Sequence, residues 1–298
     1  MKFTPSEQVK EAINGNKPIL ALESTIISSG MPYPQNLEFY KKSQDVCFSH
    51  GVVPATIAII KGEICVGLSD DQVEYICTDE TVEKISKREL GISIQKNISG
   101  ATTVSSTSHI ASLAGIRVFS TGGVGGIHRG FKKTLDMSQD LFSLRETPII
   151  VVCSGVKSFL DVEKTVEALE TLGVPLVGYR TRWFPLFYSS RSDIRLSHSV
   201  DNEIDIVNIY KHNINQKITS TLLVVNPVPK KNEIPDSEIS KILSKTIKEM
   251  NRKKITGKET TPYLLKEIAK KTKNRSLETN ISLALNNINL GAKIAKKM

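Results

Sequence analysis

The chain has 298 residues and a mass of 32.9 kDa, a length that suits one large domain or two modest ones. Hydrophobic residues make up 39% and charged residues 24%, which excludes a disordered, collagen-like or disulfide-stapled chain. The formal net charge is +9, but residues 230–298 alone hold 17 Lys and Arg against seven Asp and Glu. The rest of the chain is therefore close to neutral, which argues against a protein that binds nucleic acid over its whole surface.

Other classes are excluded by what the chain lacks. No apolar run reaches the roughly 18 residues of a membrane span, and residues 1–10 have no signal-peptide core. Cys47, Cys65, Cys77 and Cys153 are scattered through apolar stretches without the spacing of metal ligands. We interpret them as reduced, buried residues of a cytoplasmic protein. The charge distribution and the lack of a membrane span predict neither a nucleic-acid partner nor a membrane partner.

Short runs rich in Val and Ile alternate with segments of helical period along the chain. Such runs, bounded by Gly, Pro or Ser, are typical of strands buried on both faces of a sheet. A hairpin at Lys61-Gly62 would make this sheet mixed rather than purely parallel. The predicted strands cover residues 18–22, 54–60, 64–68, 116–120, 148–153, 174–178 and 222–225.

Helical patterns cover residues 34–50 and 158–172 between the strands, and the second is closed by Gly173. From residue 236 onward the pattern is almost entirely helical. Asp236 or Ser237 is the predicted N-cap of the first tail helix, and Pro262 is predicted at the first position of the next. The tail helices are predicted over 236–250, 261–273 and 277–297. The order predicts one α/β domain over residues 1–298, with a helical C-terminal layer.

A glycine-rich segment, residues 121–130, follows the predicted strand 116–120. Its glycines let backbone amides approach an anion closely, and His128 and Arg129 could add charge, so the segment could bind phosphate. A plain glycine-rich connection is the alternative. The hydroxyl-rich residues 100–108 could likewise present a helix start to a polar ligand, or could simply form a closely packed helix N-terminus.

Two charged residues lie at or just beyond the ends of predicted strands, where α/β folds place their sites. Lys157 follows the strand 148–153 and a short turn, so its amine could act as a nucleophile; a solvated surface lysine is the alternative. Glu23 ends the apolar run 19–22, and a partly desolvated carboxyl group there suits proton transfer. A cap or a structural ion pair is the alternative for Glu23.

Asp136 and Asp140 are four residues apart beside the glycine-rich segment. One or both could bind a hard cation such as Mg²⁺ or Mn²⁺ through oxygen. Alternatively, Asp136 or Ser138 caps a helix over residues 139–145. Lys84 lies in a short basic cluster and has no assigned role from its local sequence alone.

Several of these segments together resemble the pseudouridine-5'-phosphate glycosidases, also called pseudouridylate synthases. The most specific part is residues 100–130, which end in Thr121-Gly122-Gly123-Val124-Gly125-Gly126-Ile127-His128-Arg129-Gly130. The resemblance runs from about Lys17 to about Ala295. The other matching segments are residues 21–36, 53–58, 154–158, 226–229 and 257–262.

The resemblance implies an enzyme that reversibly splits the C–C glycosidic bond of pseudouridine 5'-phosphate, a nucleotide monophosphate, into uracil and ribose 5-phosphate. It implies that Lys157 attacks C1' of the sugar, opens the ring and forms a Schiff base, with Glu23 as the proton donor. A C-glycoside has no leaving oxygen or nitrogen to protonate, so the usual two-carboxylate route suits it poorly. The enzyme would thus be a lyase-type glycosidase.

The same resemblance implies a three-layer α/β/α fold with a mixed central sheet, a homotrimer and a Mn²⁺ ion on Asp136. Position 139 holds Gln where a small residue is usual, and the segment 188–194 is shorter than is typical. The implied substrate contacts are Lys84, Val104, His128, Ser138, Gln139, Asp140 and Asn280.

Two further functions are compatible with the sequence. A different C–C or C–N lyase on the same scaffold would act on another sugar phosphate or on a pyrimidine-like pigment precursor. An RNA-binding module would use the basic C-terminal helices, but Tyr263 is the one aromatic residue there, which speaks against base stacking. The neutral body and the single cations at motif positions favour a small phosphorylated substrate.

Overall fold

The computed structural model of the protein describes residues 3–255, 257 and 260–298. Seven of its strands match the predicted apolar runs, with ends within two residues of the predicted ones, whereas four short strands were not predicted. The strands are β1 (Thr4–Pro5), β2 (Ile19–Glu23), β3 (Val53–Ile60), β4 (Glu63–Val66), β5 (Glu83–Ile85), β6 (Gly100–Thr102), β7 (Val118–Ser120), β8 (Ile150–Cys153), β9 (Leu176–Tyr179), β10 (Ser199–Val200) and β11 (Leu222–Val225).

Helices fill most of the connections between the strands. Two short 3₁₀ turns, Lys87–Glu89 and Lys230–Asn232, accompany them. The α-helices are α1 (Glu7–Asn14), α2 (Thr25–Ser28), α3 (Gln35–Ser49), α4 (Asp70–Thr78), α5 (Leu90–Gln95), α6 (Val104–Leu113), α7 (Phe131–Thr134), α8 (Asp140–Glu146), α9 (Val162–Thr171), α10 (Glu203–Asn215), α11 (Asp236–Arg252), α12 (Thr260–Lys271) and α13 (Arg275–Ala295).

All described strands belong to one mixed sheet, in the order β1-β4-β3-β2-β7-β8-β11-β9-β10. Outside this order, β6 pairs with β3, and β5 pairs with β6. The strands from β3 through β2 to β10 run parallel to their neighbours. By contrast, β4 and β6 run antiparallel to β3. The hairpin predicted at Lys61-Gly62 is confirmed as the β3–β4 connection.

Helices cover both faces of the sheet, which confirms the three-layer α/β/α fold. On one face, α13 packs on β2, β7 and β8 and contacts α3 and α10. On the other, α6 packs on β2, β3 and β7 and contacts α8. The predicted helical C-terminal layer is confirmed: α13 lies on the sheet, α12 packs on α13, and α11 packs on α12. Helix α13 buries residues along its whole length, whereas α11 and α12 bury one narrow stripe each.

The buried apolar side chains form one contiguous cluster from Val9 to Ala295. Every residue of β8 and β11 is buried, which explains why both strands are uninterrupted apolar runs in the sequence. The continuity of the cluster is what one domain over residues 1–298 would require. Within the described ranges, no helix combines the length and the apolar character needed to cross a membrane.

The four cysteines are buried free thiols. Burial raises the pKa of Cys47 and Cys153 to about 12. Mainly through burial as well, the pKa of Cys65 and that of Cys77 rise to about 11. The thiolate is the reactive form, so these side chains act as inert apolar residues, as the sequence predicted.

Three predicted helix starts are wrong. α9 begins at Val162, four residues later than predicted, where the Asp161 side chain accepts a backbone N–H, because the preceding residues form a loop of the site. Asp236 is the first residue of α11 rather than its cap, and Pro262 is the third residue of α12. Gly173, in contrast, ends α9 with a positive φ of 66° as expected.

Close packing of α13 on the sheet gives a first prediction. A methyl group added at Gly291 would lie 2.0 Å from Ser120 Oγ and 3.0 Å from Leu20 Cδ1. We expect Gly291→Ala to lower the free energy of unfolding by about 1–3 kcal/mol in a urea titration, because overpacking outweighs the helix propensity of alanine. The control is Gly91→Ala in α5, where nothing lies within 4 Å. Equal stability of Gly291→Ala and the unmodified protein would contradict this packing.

Candidate active site

A cleft lies at the edge of the sheet where the parallel strands β2, β7, β8 and β11 end. The strand register places these carboxyl ends side by side: Leu22 pairs with Ser120, Ser120 with Val152, and Val152 with Val224. Residues directly after each strand therefore face the same space, which is the usual place for a site in an α/β fold.

The cleft has two adjoining parts. The outer chamber is a cavity of about 380 Å³, and the inner chamber is a much narrower space behind it. Lys84, Lys157 and Thr261 line both, so the two amines lie where the chambers meet. The structure thus brings together Lys84 and Lys157, which are far apart in sequence.

The outer chamber collects seven of the predicted site residues. The glycine-rich segment and the loop that follows it form its floor, with Thr103 on the opposite wall. The predicted residues that line it besides the two lysines are His128, Asp136, Ser138, Gln139 and Asp140.

The inner chamber contains Glu23 and Asn280, together with the apolar side chains of Ile26, Phe187 and Leu265. Asn280 lies in the second turn of α13 and is 5% exposed. Its side-chain amide makes no hydrogen bond to any part of the chain that the structure describes. The chamber therefore combines apolar walls with one carboxyl group and one amide that are available to a ligand.

Glu23 is the last residue of β2 and is 5% exposed. One carboxyl oxygen accepts from the hydroxyl of Thr25 and the other from the hydroxyl of Thr121. These two contacts fix the orientation of the carboxyl group. No basic side chain pairs with Glu23 among the described residues, so the structural ion pair considered from the sequence is not formed.

Lys157 follows β8 after a turn that is held against the glycine-rich segment. Its backbone N–H donates to Val124 O at 3.1 Å. Gly155 in this turn has a φ of 83°, and a Cβ there would lie 2.4 Å from Pro185 O, so only glycine fits. Lys157 is half-buried and lines both chambers, so it is not the solvated surface lysine that the sequence left as the alternative.

Lys84 and Val104 reach the site from the side of β6. Lys84 is the middle residue of β5 and is half-buried. Val104 is the first residue of α6, is 1% exposed and lies outside the residues that line either chamber. Any ligand contact of Val104 would therefore use its backbone at the helix start.

The surroundings of His128 favour its neutral form by lowering the pKa of the imidazole. Burial lowers its pKa most, the Asp136 carboxylate raises it, and the ammonium groups of Lys84 and Lys157 lower it further. His128 Nδ1 lies 3.8 Å from Asp136 Oδ2. A neutral imidazole can donate one hydrogen bond and accept another without adding charge to the outer chamber.

Asp136 is the candidate metal ligand, and 46% of its side chain is exposed to the chamber. No group of three or more His, Cys, Asp or Glu side chains that could hold a metal occurs within residues 3–255, 257 and 260–298. A cation on Asp136 would therefore need water or ligand oxygens for most of its coordination shell, as Mg²⁺ and Mn²⁺ commonly do in phosphate sites.

Asp140 is engaged by the backbone rather than free for a cation. Its two carboxylate oxygens accept from the N–H of Ser105 at 3.0 Å and of Gly125 at 2.8 Å. A Cβ at Gly125 would lie 2.2 Å from Ser138 Oγ and 2.6 Å from Asp140 Oδ2, so this glycine is required for the approach. Asp140 ties the start of α6 to the glycine-rich segment.

The alternative prediction, that Asp136 or Ser138 caps a helix over residues 139–145, is correct in part. Ser138 Oγ accepts from the N–H of Asp140 at 3.2 Å, and α8 begins at Asp140. Gln139 uses its side-chain oxygen to accept from the N–H of Arg88 at 3.1 Å. This contact joins the chamber floor to the basic cluster beside β5.

Two predicted features lie elsewhere. Arg129 donates to Leu160 O and Ser158 O and lines a separate surface cavity, so the prediction that it meets a phosphate in the cleft is wrong. The reason is that its side chain is drawn to the carbonyl groups of the loop before α9. Lys258 and Glu259 of the motif 257–262 lie outside the described residues.

Asn287, which was not among the predicted site residues, organises the end of the sheet beneath the cleft. Its amide nitrogen donates to Thr121 O at 2.8 Å and to Ser154 Oγ at 3.1 Å, and its oxygen accepts from Asn226 Nδ2 at 3.0 Å. The side chain is fully buried. It thus joins the residues after β7, β8 and β11. The one sequence signal was a polar residue on the buried face of a helix.

Comparisons with known proteins agree on one family. Residues 8–297 match the family described as indigoidine synthase A like protein. The pseudouridine-5'-phosphate glycosidase of Alkaliphilus metalliredigens is 47% identical over 99% of this chain and 95% of its own length. An indigoidine synthase A-like protein of Thermotoga maritima has a TM-score of 0.91 at 36% identity, with 99% of this chain and 96% of that chain covered. The prealnumycin C-glycosynthase, solved with ribulose 5-phosphate, has a TM-score of 0.91 at 30% identity and the same coverage.

The two aspartates of the outer chamber differ in a way that unfolding experiments can measure. We expect Asp140→Asn to lower the free energy of unfolding by about 1–3 kcal/mol, because an amide cannot accept from both backbone N–H groups. Asp136→Asn is the matched control, since its carboxylate is half-exposed; we expect a change within about 0.5 kcal/mol in the presence of a chelator. A larger loss for Asp136→Asn than for Asp140→Asn in urea titrations would refute this assignment.

Proposed function

The chain belongs to the pseudouridine-5'-phosphate glycosidase family, and we propose that it splits the C–C glycosidic bond of pseudouridine 5'-phosphate into uracil and ribose 5-phosphate. The observation that carries this proposal is the position of Lys157 between two unlike chambers. One chamber suits a phosphorylated sugar, the other suits a flat polar ring, and an amine stands at their junction.

The outer chamber is the place for the ribose 5-phosphate part of the substrate. Lys84 and Lys157 supply positive charge there, and the neutral His128 supplies a hydrogen bond. Ribulose 5-phosphate, held by the related prealnumycin C-glycosynthase, is a sugar phosphate of the same size class.

With the phosphate in the outer chamber, C1' lies near the junction and Lys157 Nζ attacks it. The C1'–O4' bond breaks, O4' takes the proton released by the attacking amine, and the sugar ring opens. The nitrogen lone pair then forms a C=N bond to C1' while the C1'–C5 bond breaks, and its electron pair stays on C5 of uracil. Water hydrolyses the resulting Schiff base, which releases ribose 5-phosphate and restores the amine.

Glu23 is the proton donor to C5 of uracil. Its carboxyl group lies in the inner chamber, on the side of Lys157 that the base would occupy. Thr25 and Thr121 hold both oxygens, so the group is oriented before the substrate arrives. Asn280, whose amide is unpaired within the described residues, is the candidate contact for the polar edge of the base.

We also propose that Asp136 holds a Mn²⁺ ion. The half-exposed carboxylate at the chamber wall fits a hard cation whose other ligands are water and phosphate oxygens. When bound, the ion supplies positive charge that offsets the charge of the substrate phosphate. Asp140 does not serve as a second ligand, because both of its oxygens accept from backbone N–H groups.

Three broader assignments belong to the proposal. The lyase class follows from the imine route, in which the C–C bond breaks by elimination. A cytoplasmic location is supported by four buried free thiols. The family resemblance is the basis for proposing a homotrimer. Light scattering should then give a particle mass near three times the mass of one chain.

The central test is release of free uracil from pseudouridine 5'-phosphate. We expect uracil to form with Mn²⁺, to stop forming with a chelator and to resume when Mn²⁺ is restored. Lys157→Arg should release no detectable uracil, because a guanidinium is never deprotonated and cannot form an imine. Lys164→Arg, an exposed lysine paired with Asp161, is the control with full activity. No uracil from the unmodified, Mn²⁺-loaded protein would refute the proposed function.

The roles of the two reactive groups can be separated by trapping. Borohydride with ribose 5-phosphate should label Lys157 in the unmodified protein and in Glu23→Gln, since the imine forms without uracil. Uracil release by Glu23→Gln should fall about 10²–10⁴-fold, because the amide cannot donate a carboxyl proton to C5. An adduct on a different lysine by mass spectrometry would show that the nucleophile is misassigned.

A further inference from the structure

Phe187 forms a wall of the inner chamber in a conformation that bulky residues rarely adopt. Its φ is 64°, in the left-handed region, and its side chain is 3% exposed. The backbone N–H of Phe187 donates to Ser154 O at 3.1 Å, which ties it to the end of β8. Strained residues of this kind persist where the surrounding structure fixes them, and they concentrate at ligand sites.

The Phe187 ring is held in place by two neighbours. A Cβ added at Gly123 would lie 2.7 Å from Cδ2 of the ring and 2.8 Å from Cε2, so the bare backbone of Gly123 lies directly against it. The ring also meets the fully buried Tyr188 edge-on, with ring centroids 4.9 Å apart at 82°. The ring is therefore a fixed wall rather than a mobile side chain.

Gly122 leaves a gap beside this wall. A Cβ added at Gly122 would lie 3.5 Å from Asn280 Oδ1, 3.5 Å from Leu283 Cδ1 and 3.6 Å from Phe187 Cε2. The amide oxygen and the ring edge therefore face the same point, each at an ordinary contact distance. A methyl group at position 122 would therefore touch both Asn280 and Phe187 and fill part of the inner chamber that these residues line.

We infer that Phe187 and Gly122 together determine which base the enzyme accepts: a single planar pyrimidine ring lies against Phe187, over the bare face of Gly122, with its polar edge at Asn280. The inference rests on the proposed function and adds its base-selecting residues. Glu23, in the same chamber, then lies beside the ring it protonates. A side chain at position 122 would occupy the space of the base without touching the sugar phosphate.

Gly122→Ala is the decisive variant, because its methyl group would meet the protein only at ordinary contact distances and the fold should tolerate it. In the direction of synthesis, from uracil and ribose 5-phosphate, we expect the KM for uracil to rise at least tenfold. The KM for ribose 5-phosphate should stay within twofold, and borohydride trapping of ribose 5-phosphate on Lys157 should be unchanged. Phe187→Leu, which removes the flat wall but keeps an apolar side chain, should shift the uracil KM in the same direction.

Gly91→Ala, in open space on α5, is the matched glycine control and should keep both KM values. An unchanged uracil KM in Gly122→Ala would overturn the inference, as would an equal rise in the ribose 5-phosphate KM or loss of trapping. If Phe187→Leu does not fold, Gly122→Ala decides alone. Absence of any uracil turnover by the unmodified protein would refute the proposed function itself, and the inference with it.

Discussion

One buried amide, that of Asn287, holds the residues after three parallel strands in register with each other. It contacts Thr121 after β7, Ser154 after β8 and Asn226 after β11. Thr121 in turn donates to Glu23, and the turn that begins at Ser154 leads to Lys157. The two reactive groups are thus fixed relative to each other by hydrogen bonds to one side chain, and a buried polar network of this kind is costly to leave half satisfied.

The electrostatics of the cleft depend on where individual charged side chains lie, not on the total charge of the protein. The excess of basic residues lies in the tail, where contacts such as Lys271 with Glu249 and Arg275 with Glu238 are partly solvent-exposed. In the cleft, two half-buried lysines converge on one space, and burial, aided by their charge, lowers the pKa of His128. A single doubly charged phosphate matches this arrangement better than an extended polyanion, which would need a continuous basic surface.

Much of the fold and part of the site follow from local sequence. The apolar runs predicted the strands because β8 and β11 are buried on both faces. The positions of Glu23 and Lys157 at or after strand ends indicated a site there, and both residues line the inner chamber. The direction of the Arg129 side chain was not predictable, since it depends on carbonyl groups about thirty residues away. The same holds for Asn287, whose partners lie 61 to 166 residues from it. Long-range hydrogen bonds of this kind leave no periodic trace in the sequence.

Helix α13 carries both Asn280, which lines the inner chamber, and Asn287, which joins the strand ends. The two residues are seven positions apart, so they lie on the same side of the helix about 10 Å from each other along its axis. Substitutions in the first turns of α13 can therefore change the shape of the inner chamber, while the later turns still hold the strand ends together. Such a division would let acceptor molecules diversify around an unchanged framework, and a C-glycosynthase shares this fold at 30% identity.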